Sequence, residues 1–463
     1  MSLMLKKSRG NIYFWSLFII SLVIYILISY FTLRHVTSVL FLLYILLFIA
    51  YLIFINISFS ETRINQVYIF SILFRLALFA LIPNLSDDVY RFIWDGRITA
   101  NGLNPYVHLP EYFLSSPEYQ DIGLTSHLYE LFGKNTHSSY PPLNQLIFAI
   151  AAWIAPGSIF GSIVVIRLFI IVFEIGNIII IRKLLKIYRK PDKTGLFYAL
   201  NPLVILELTG NLHFEAILIF FILLTLWYLH FSKILSAGIV FSFGILSKLI
   251  PLIFLPVIWI RAGWKKGFLL VFIAGIFTVL GFLPFLQFYS MDGFFNSLSL
   301  YFNKLEFNAS IYFIVRQIGY WITGYNIIQI AGPLLGVLTF LIIFTISLSA
   351  YARRNKLVEI WMWILMIYLA MTTTLHPWYI TTLLALSIFT AYRFPVVWTF
   401  FIFTTYEGYT ISGYSANYWF IGIEYLVVYG IMIWEIINIT KFKKSPLASI
   451  YSFTILDKKR GCF

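Results

Sequence analysis

Long apolar runs recur from one end of this chain to the other, and they constrain its fold more than any other feature. A helix needs about 20 mainly apolar residues to cross the hydrocarbon core of a bilayer. The chain is 60% hydrophobic and only 11% charged, whereas soluble domains contain about 25% charged residues. The sequence therefore predicts an all-α, polytopic protein that forms a single transmembrane domain over residues 1–463.

We place about 13–14 membrane segments of about 12 to 25 residues each. The first, 12–31, is too long for a signal peptide and is predicted to be a retained anchor. Segment 143–155 is short and follows the sequence YPP, so we interpret it as re-entrant or half-crossing. The predicted full spans are 12–31, 36–57, 66–83, 160–182, 195–210, 212–231, 234–248, 249–260, 267–288, 326–350, 357–374, 378–392, 395–411 and 417–440.

The net charge of +14 could indicate a nucleic-acid partner, but the positions of the basic residues argue against it. With the N-terminus inside, most of them lie in inner loops or tails, as the positive-inside rule requires. We therefore expect a multi-pass protein of the plasma membrane with both termini in the cytoplasm. The single cysteine, Cys462, excludes an internal disulfide and a cysteine-based metal site.

Under this topology the uncommon polar residues gather on the outer side of the membrane. The two largest outer loops are predicted at 84–142 and 289–325. Charged groups at such positions are costly and often functional. The outer candidates are Asp87, Asp88, Arg91, Asp95, Arg97, His213, Glu215, Lys248, Lys304, Glu306, Arg316 and His376.

The stretch SDDVYRFIWDGR, from Ser86 to Arg97, predicts an interfacial helix just after a membrane span. Ser86 would cap it, with Asp87 and Asp88 in its first turn. Asp88, Arg91 and Asp95 would share one face. A purely structural interpretation is equally open, because acids in a first turn complement the helix dipole.

The other outer clusters also have structural alternatives. His213 and Glu215 could be a solvated turn, and Lys248 could extend its amine to the interface. The HPWY stretch at 376–379 could belong to an aromatic belt. Within one span, Arg167 and Glu174 are predicted to form a structural pair rather than a site.

Several stretches in order along the chain resemble the GT-C family of polytopic glycosyltransferases, and the resemblance covers about residues 60 to 400. It rests on SDDVYRFIWDGR and NGLNPY within 86–106, YPPLNQLIFAIAAWI at 140–154, NPLVILELTGNLHFEAILIF at 201–220, LSKLIPLIFLP at 246–256 and HPWYI at 376–380. The nearest resemblance is to polyprenyl-phosphate-mannose-dependent mannosyltransferases, including the mycobacterial mannopyranosyltransferases. The mannosyltransferase of the glycosylphosphatidylinositol pathway is a more distant likeness.

This resemblance implies a catalytic acid in the first extracytoplasmic loop, a lipid-phosphate sugar donor and inversion at the anomeric carbon. Asp87 or Asp88 matches that acid, and the shared face with Arg91 favours Asp88. The carboxylate would take the proton of an acceptor hydroxyl as it attacks the sugar. The predicted substrate-binding residues are Arg91, Asp95, Arg97, Tyr106, His213, Glu215, Lys248, Arg316, His376, Trp378 and Tyr379. We expect no cofactor, although a divalent metal on Asp87, Asp88, His213 and Glu215 stays possible.

The predicted function is transfer of a hexose, most simply mannose, to a lipid-linked or cell-surface glycan. A transporter or flippase of lipid-linked sugars is the main alternative, although such proteins often carry matched internal repeats that this sequence lacks. A third alternative is an envelope polymerase or ligase. That class would favour a basic outer loop to bind pyrophosphate, whereas loop 84–142 has seven acids and three Lys or Arg.

Overall fold

The computed structural model describes residues 2–57, 59–286, 291–411 and 413–444, and helices dominate it. Cys462 lies outside the described residues. The first ten α-helices are α1 Ser2–Ile26, α2 Thr37–Asn56, α3 Glu61–Ala77, α4 Asp88–Ala100, α5 Pro110–Leu114, α6 Ser126–Phe132, α7 Pro142–Ile154, α8 Ile159–Ile187, α9 Leu196–Ala199 and α10 Glu215–His230. The others are α11 Ile234–Ser247, α12 Leu255–Ala262, α13 Trp264–Phe282, α14 Asp292–Asn303, α15 Ile311–Thr323, α16 Ile328–Leu348, α17 Ala350–Arg354, α18 Leu357–Met371, α19 Tyr379–Ser387, α20 Phe394–Phe401 and α21 Tyr418–Lys444.

Short irregular helices and one small hairpin complete the described chain. Strands β1, Tyr409–Thr410, and β2, Gly413–Tyr414, pair antiparallel. The π-helical turns are Leu27–Phe31 and Val204–Gly210, and the 3₁₀ turns are Pro117–Tyr119, Asp192–Gly195, Ile250–Phe254, Leu283–Phe285 and Ile402–Gly408. The prediction of an all-α polytopic fold is confirmed.

Six helices in the described part of the chain are long and apolar enough to cross a membrane. They are Ile12–Phe31, Thr37–Asn56, Ile159–Ile187, Trp264–Phe285, Ile328–Leu348 and Tyr418–Ile439, and a seventh follows if Val204–Gly210 and α10 count as one broken span. Several other predicted spans form shorter or broken helices. Within the predicted span 249–260, the 3₁₀ turn Ile250–Phe254 gives way to α12, which has Pro256 in its first turn. The predicted span 395–411 is broken after α20, where the 3₁₀ turn Ile402–Gly408 follows.

The described residues form two compact units. The first contains the described residues within 2–217, 291–294 and 406–415. The second contains those within 218–286, 295–405 and 416–444.

In the first unit, α4 lies against α7, and this contact places the conspicuous acids of the outer loop. The rings of Phe92 and Phe148 stack with their centroids 4.8 Å apart. A Cβ atom on Gly96 would lie 2.3 Å from the carbonyl oxygen of Phe148, so glycine is needed for this approach. Helix α7 has 13 residues and is about 20 Å long. It is too short for a full crossing of about 30 Å.

Buried charges connect the long helices of the first unit. Arg75 donates through Nε and Nη2 to Glu174 Oε2 at 3.1 and 2.8 Å. Arg167 instead donates to the carbonyl oxygens of Phe79, Leu81, Thr209 and Gly210. The predicted Arg167–Glu174 pair is therefore wrong. Seven residues along a helix separate two positions by about 10.5 Å of rise, so each charge is matched by a neighbouring segment.

In the second unit, a parallel bridge joins Phe307 to the segment before His376. Phe307 N–H donates to the Thr373 carbonyl at 3.1 Å, and Leu375 N–H donates to the Phe307 carbonyl at 2.7 Å. The Phe254 and Trp361 rings stack at 4.7 Å in the core of this unit. The bridge to Phe307 fixes the backbone directly before the HPWY stretch.

Candidate functional site

The two adjacent acids stand at the start of α4, although one residue differs from the predicted register. The helix begins at Asp88, and Asp87 occupies the cap position without a side-chain capping bond. Ser86 was predicted to be the capping residue, but it lies one position before the cap. Its Oγ accepts the backbone N–H of Asp88 at 3.3 Å. Both carboxylates are thereby carried at the end of a helix that α7 holds in place.

The two carboxylates have different cationic partners. Asp87 Oδ2 lies 2.7 Å from Arg34 Nη1, and the Asp87 side chain is 46% exposed. Asp88 Oδ1 lies 3.5 Å from Nζ of Lys134, whose side chain is 68% exposed. The Asp88 side chain is 23% exposed. Asp87 is thus tightly paired, while Asp88 has a longer contact with an exposed lysine.

Asp88, Arg91 and Asp95 were predicted to share one helix face, but only Arg91 and Asp95 pair with each other. Arg91 Nε donates to Asp95 Oδ1 at 2.7 Å, and its Nη1 donates to the Thr136 carbonyl at 2.6 Å. Asp95 is fully buried and also accepts hydrogen bonds from Ser138 and Gln145. This arrangement supports the structural interpretation of Arg91 and Asp95, because their hydrogen bonds fix the loop to α4.

Arg97 and Tyr106 are also placed inside the loop. Arg97 donates through Nη1 to the Gly123 carbonyl, and burial lowers the pKa of its guanidinium. Tyr106 is fully buried and donates to the Tyr140 carbonyl at 2.6 Å. Its ring packs against Phe294 at 5.2 Å. Their predicted substrate contacts stay predictions, and in this structure both side chains organise the loop.

A buried acid that the sequence reasoning missed, Glu207, lies in the π-helical turn Val204–Gly210. Its carboxylate accepts from Tyr406 Oη at 2.6 Å and from Asn211 Nδ2 at 3.4 Å. His213 Nε2 lies 3.5 Å from the same carboxylate. Asn211 in turn accepts the backbone N–H of Leu85 at 3.2 Å. Glu207 therefore links the turn containing His213 to the segment that precedes Asp87 and Asp88.

Aromatic rings continue this network toward Asp87. Tyr406 and Tyr409 stack with centroids 5.9 Å apart, and the Arg34 guanidinium lies 4.9 Å from the centre of the Tyr409 ring. Burial raises the pKa of Tyr409 to about 12; Arg34 opposes the rise, and the nearby Asp88 and Asp87 carboxylates add to it. These residues and Glu207 form one polar cluster in the first unit. Glu215 is buried in the first turn of α10.

In the second unit, the predicted Lys248 and HPWY residues do come together. Lys248 Nζ lies 4.0 Å from the centre of the Tyr379 ring. The His376 ring stacks on Trp378 with centroids 4.5 Å apart and lies 4.6 Å from Phe307. A cation over a ring face is attracted to it electrostatically, so this contact fixes Lys248 beside Tyr379.

Arg316 is held by a local ion-pair network in the second unit. It donates to Glu306 through Nη1 and to Tyr418 Oη through Nη2 at 3.0 Å. Burial would raise the pKa of Glu306, but hydrogen bonds from Tyr312 and Asn326 and the charge of Arg316 outweigh it and lower that pKa. Arg316 thus has a clear structural role, and its predicted phosphate contact stays a prediction.

A metal centre would need several close ligands, and the described residues offer no group of three or more His, Cys, Asp or Glu side chains arranged to hold an ion. The suggested set of Asp87, Asp88, His213 and Glu215 is not such a group. Asp87 and His213 instead contact Arg34 and Glu207.

Comparison with known proteins identifies a family. A family model described as "Alpha-(1->6)-mannopyranosyltransferase, N-terminal domain" matches residues 19–263. That range includes Arg34, the two acids at the start of α4, Glu207 and Lys248. Neither a curated protein nor a solved structure matches the chain.

Proposed function

The chain belongs to the alpha-(1→6)-mannopyranosyltransferase family, and from this we propose that it transfers mannose from a polyprenyl-phosphate donor to a lipid-linked or cell-surface glycan. The family membership indicates a membrane-embedded glycosyltransferase. The lipid-phosphate donor, the acceptor and the reaction mechanism are the proposal. The observation that carries it is the pair of acids at the start of α4, within the matched region.

We assign the general base to Asp88. A base must come within hydrogen-bond reach of the proton that it removes. Asp87 is occupied by Arg34 at 2.7 Å, whereas the contact of Asp88 with the exposed Lys134 is longer, at 3.5 Å. An acceptor hydroxyl can displace that longer contact more easily than the shorter one.

The reaction is a single displacement. Asp88 accepts the proton of the acceptor hydroxyl while the hydroxyl oxygen forms a bond to C1 of mannose. The bond between C1 and the phosphate oxygen breaks, and its electron pair leaves with the polyprenyl phosphate. The transition state resembles an oxocarbenium ion, as in glycoside hydrolysis, and the anomeric configuration inverts. We propose that none of these steps requires a divalent metal.

The second unit brings together four of the residues predicted to bind substrate. Lys248 beside Tyr379 supplies a cation next to an aromatic face, and His376 and Trp378 present stacked rings. The predicted substrate contacts of these four side chains stay predictions. The basic inner loops favour an orientation in which both termini are cytoplasmic and the acids face outward.

The decisive test is sugar transfer by the purified protein in nanodiscs with short-chain polyprenyl-phosphate mannose, glucose and aminoarabinose. We expect transfer from the mannose donor and loss of at least about 100-fold in kcat for Asp88→Asn, because general base catalysis contributes about 10²–10⁴-fold. Asp121→Asn removes an exposed acid from the same loop and should keep full activity.

Each arm has an outcome that counts against the proposal. No transfer from any donor, with a crude lipid extract as acceptor, would favour the flippase alternative. Full activity of Asp88→Asn would remove Asp88 as the base. Loss of activity on chelation with EDTA, restored by a divalent ion, would overturn the metal-independent mechanism.

A further inference from the structure

The connector between α1 and α2 places an arginine beside the acidic site. Arg34 lies in the turn that follows the π-helical turn Leu27–Phe31. Asn84 Nδ2 donates to the carbonyl oxygens of Ile28 and Thr32 at 3.1 and 2.7 Å. Tyr30 Oη also donates to the Ala77 carbonyl at 3.0 Å. The connector is therefore fastened to the segment that leads into α4.

The Arg34 guanidinium is held at one nitrogen, and the side chain is partly exposed. Nη1 lies 2.7 Å from Asp87 Oδ2, and the side chain is 32% exposed. The Tyr409 ring lies 4.9 Å from the guanidinium carbon. Among the described residues, no hydrogen-bond partner is found for Nε or Nη2. The carboxylate and the ring therefore orient the guanidinium and leave Nε and Nη2 as donors without a partner in the described chain.

The other arginines close to the acids are not placed in this way. Arg91 donates to Asp95 and to the Thr136 carbonyl, and its side chain is 10% exposed. Arg97 is buried and donates to the Gly123 carbonyl. Both guanidiniums are buried and hold the loop together, so an incoming anion could reach them only if the loop opened.

We propose that Arg34 binds the phosphate of the lipid-phosphate sugar through its Nε–Nη2 edge while Asp87 holds Nη1. This inference rests on the proposed function. An arginine fork matches two phosphate oxygens with two parallel hydrogen bonds, a geometry that lysine cannot reproduce. Asp87 is then a positioning residue, and its neighbour Asp88 remains the base.

The chemistry gives Arg34 a role in the reaction as well as in binding. The donor phosphate is a diester with one negative charge. When the bond between C1 and oxygen breaks, the electron pair stays on that oxygen and the phosphate gains a second charge. A guanidinium already aimed at this group stabilises the charge as it develops, which lowers the barrier. Arg34 therefore contributes to kcat as well as to donor affinity.

The test measures binding without turnover, so that it is independent of the transferase reaction. The probes are farnesyl phosphate and farnesol, which share a prenyl chain and differ in the phosphate. We compare wild type, Arg34→Gln and Arg34→Lys in nanodiscs. Arg63→Gln is the matched control, because Arg63 is also a half-buried arginine of the first unit that lies over an aromatic ring, Phe14, at 4.4 Å.

We expect Arg34→Gln to weaken farnesyl phosphate binding about 10- to 100-fold, since hydrogen bonds to charged groups contribute this much. Farnesol binding should stay unchanged, and Arg63→Gln should bind both probes as wild type does. Arg34→Lys should weaken phosphate binding severalfold. If an active donor is found, Arg34→Gln should lower kcat as well as raise KM.

Unchanged farnesyl phosphate affinity in folded Arg34→Gln would overturn the inference, as would equal wild-type affinity for both probes. If Arg34→Gln does not fold, Arg34→Lys decides, and wild-type affinity in that variant overturns the inference. An Arg34-dependent phosphate affinity in a protein that transfers no sugar would support the phosphate site and contradict the proposed function, so the two failures are distinguishable.

Discussion

Arg75 and Glu174 form an ion pair of 2.8 Å in which both side chains are completely buried. Tyr198 Oη and Asn177 Nδ2 donate to the second carboxylate oxygen of Glu174 at 2.5 and 2.8 Å. Arg75 Nη1 also donates to the carbonyl oxygens of Ser71 and Ala199. A charge in the interior of a membrane protein is tolerated when such partners surround it.

Removing one member of this pair should destabilise the protein strongly. Glu174→Gln leaves the Arg75 charge buried without a counter-charge, and we expect a loss of about 3–5 kcal/mol in the free energy of unfolding. Thermal unfolding of the purified protein in detergent measures it. Glu118→Gln, at an exposed acid, should unfold as wild type does. Equal midpoints for the two variants would contradict this prediction.

Gly96 should resist substitution by even one methyl group. In Gly96→Ala, the new Cβ would lie 2.3 Å from the Phe148 carbonyl oxygen, so α4 must move away from α7. Overpacking of this kind costs about 1–3 kcal/mol, and the shift would displace Asp88. We expect lower thermal stability together with reduced sugar transfer.

The control for Gly96 is a glycine with room beside it. Gly275 lies in α13, and a Cβ atom added to it would have no neighbour within 4 Å. Gly275→Ala should leave stability unchanged or raise it slightly, because alanine favours helix over glycine. A Gly96→Ala protein as stable as Gly275→Ala would show that α4 and α7 are not closely packed.

Glu207 and Tyr406 should be energetically coupled. Tyr406→Phe removes the 2.6 Å hydrogen bond to the buried carboxylate, which should cost about 1.5–3 kcal/mol. Glu207→Gln removes the negative charge to which the Tyr406 hydroxyl donates. A double-mutant cycle on thermal stability should give a coupling of about 0.5–3 kcal/mol, and full additivity would refute the contact.

The pH dependence of stability should carry a contribution from His137. Burial lowers the pKa of His137, and the nearby charge of Arg91 lowers it further. The unfolded chain, with a histidine pKa of about 6.5, therefore binds a proton at higher pH than the folded chain does. The free energy of unfolding should fall as the pH drops from above about 6.5 toward the folded pKa.

His137→Asn should flatten this part of the stability curve between about pH 7.5 and 5.5, as measured by thermal unfolding. His127→Asn removes an exposed histidine from the same loop and should keep the wild-type slope. A His137→Asn curve parallel to that of wild type would contradict the assignment.

Hydropathy and helix signals in the sequence were sufficient to predict the helical membrane fold. They were also sufficient to place Asp87 and Asp88 at the start of a helix. Both features depend on local sequence, since the acids directly follow an apolar run and open an amphipathic stretch. Segment boundaries near prolines were less predictable. Whether a proline ends a span or begins a new helix depends on which partners satisfy the freed carbonyls.

The cluster around the acids could not be assembled from sequence. Glu207 stands inside the apolar run NPLVILELTG, and its partner Tyr406 lies 199 positions away. Arg34 is an isolated arginine after the first span, without a spacing pattern that relates it to Asp87. Long-range contacts of this kind follow from helix packing, which periodicity does not encode.

Helix α8 carries both Arg167 and Glu174, and this has a consequence for how the protein is made. Glu174 emerges from the ribosome 99 residues after Arg75, and Arg167 emerges 88 residues after the Phe79 carbonyl that it binds. At about 5–20 residues per second, the interval for Glu174 is about 5–20 seconds. During that time Arg75 on α3 lacks the carboxylate that matches its charge in the folded protein.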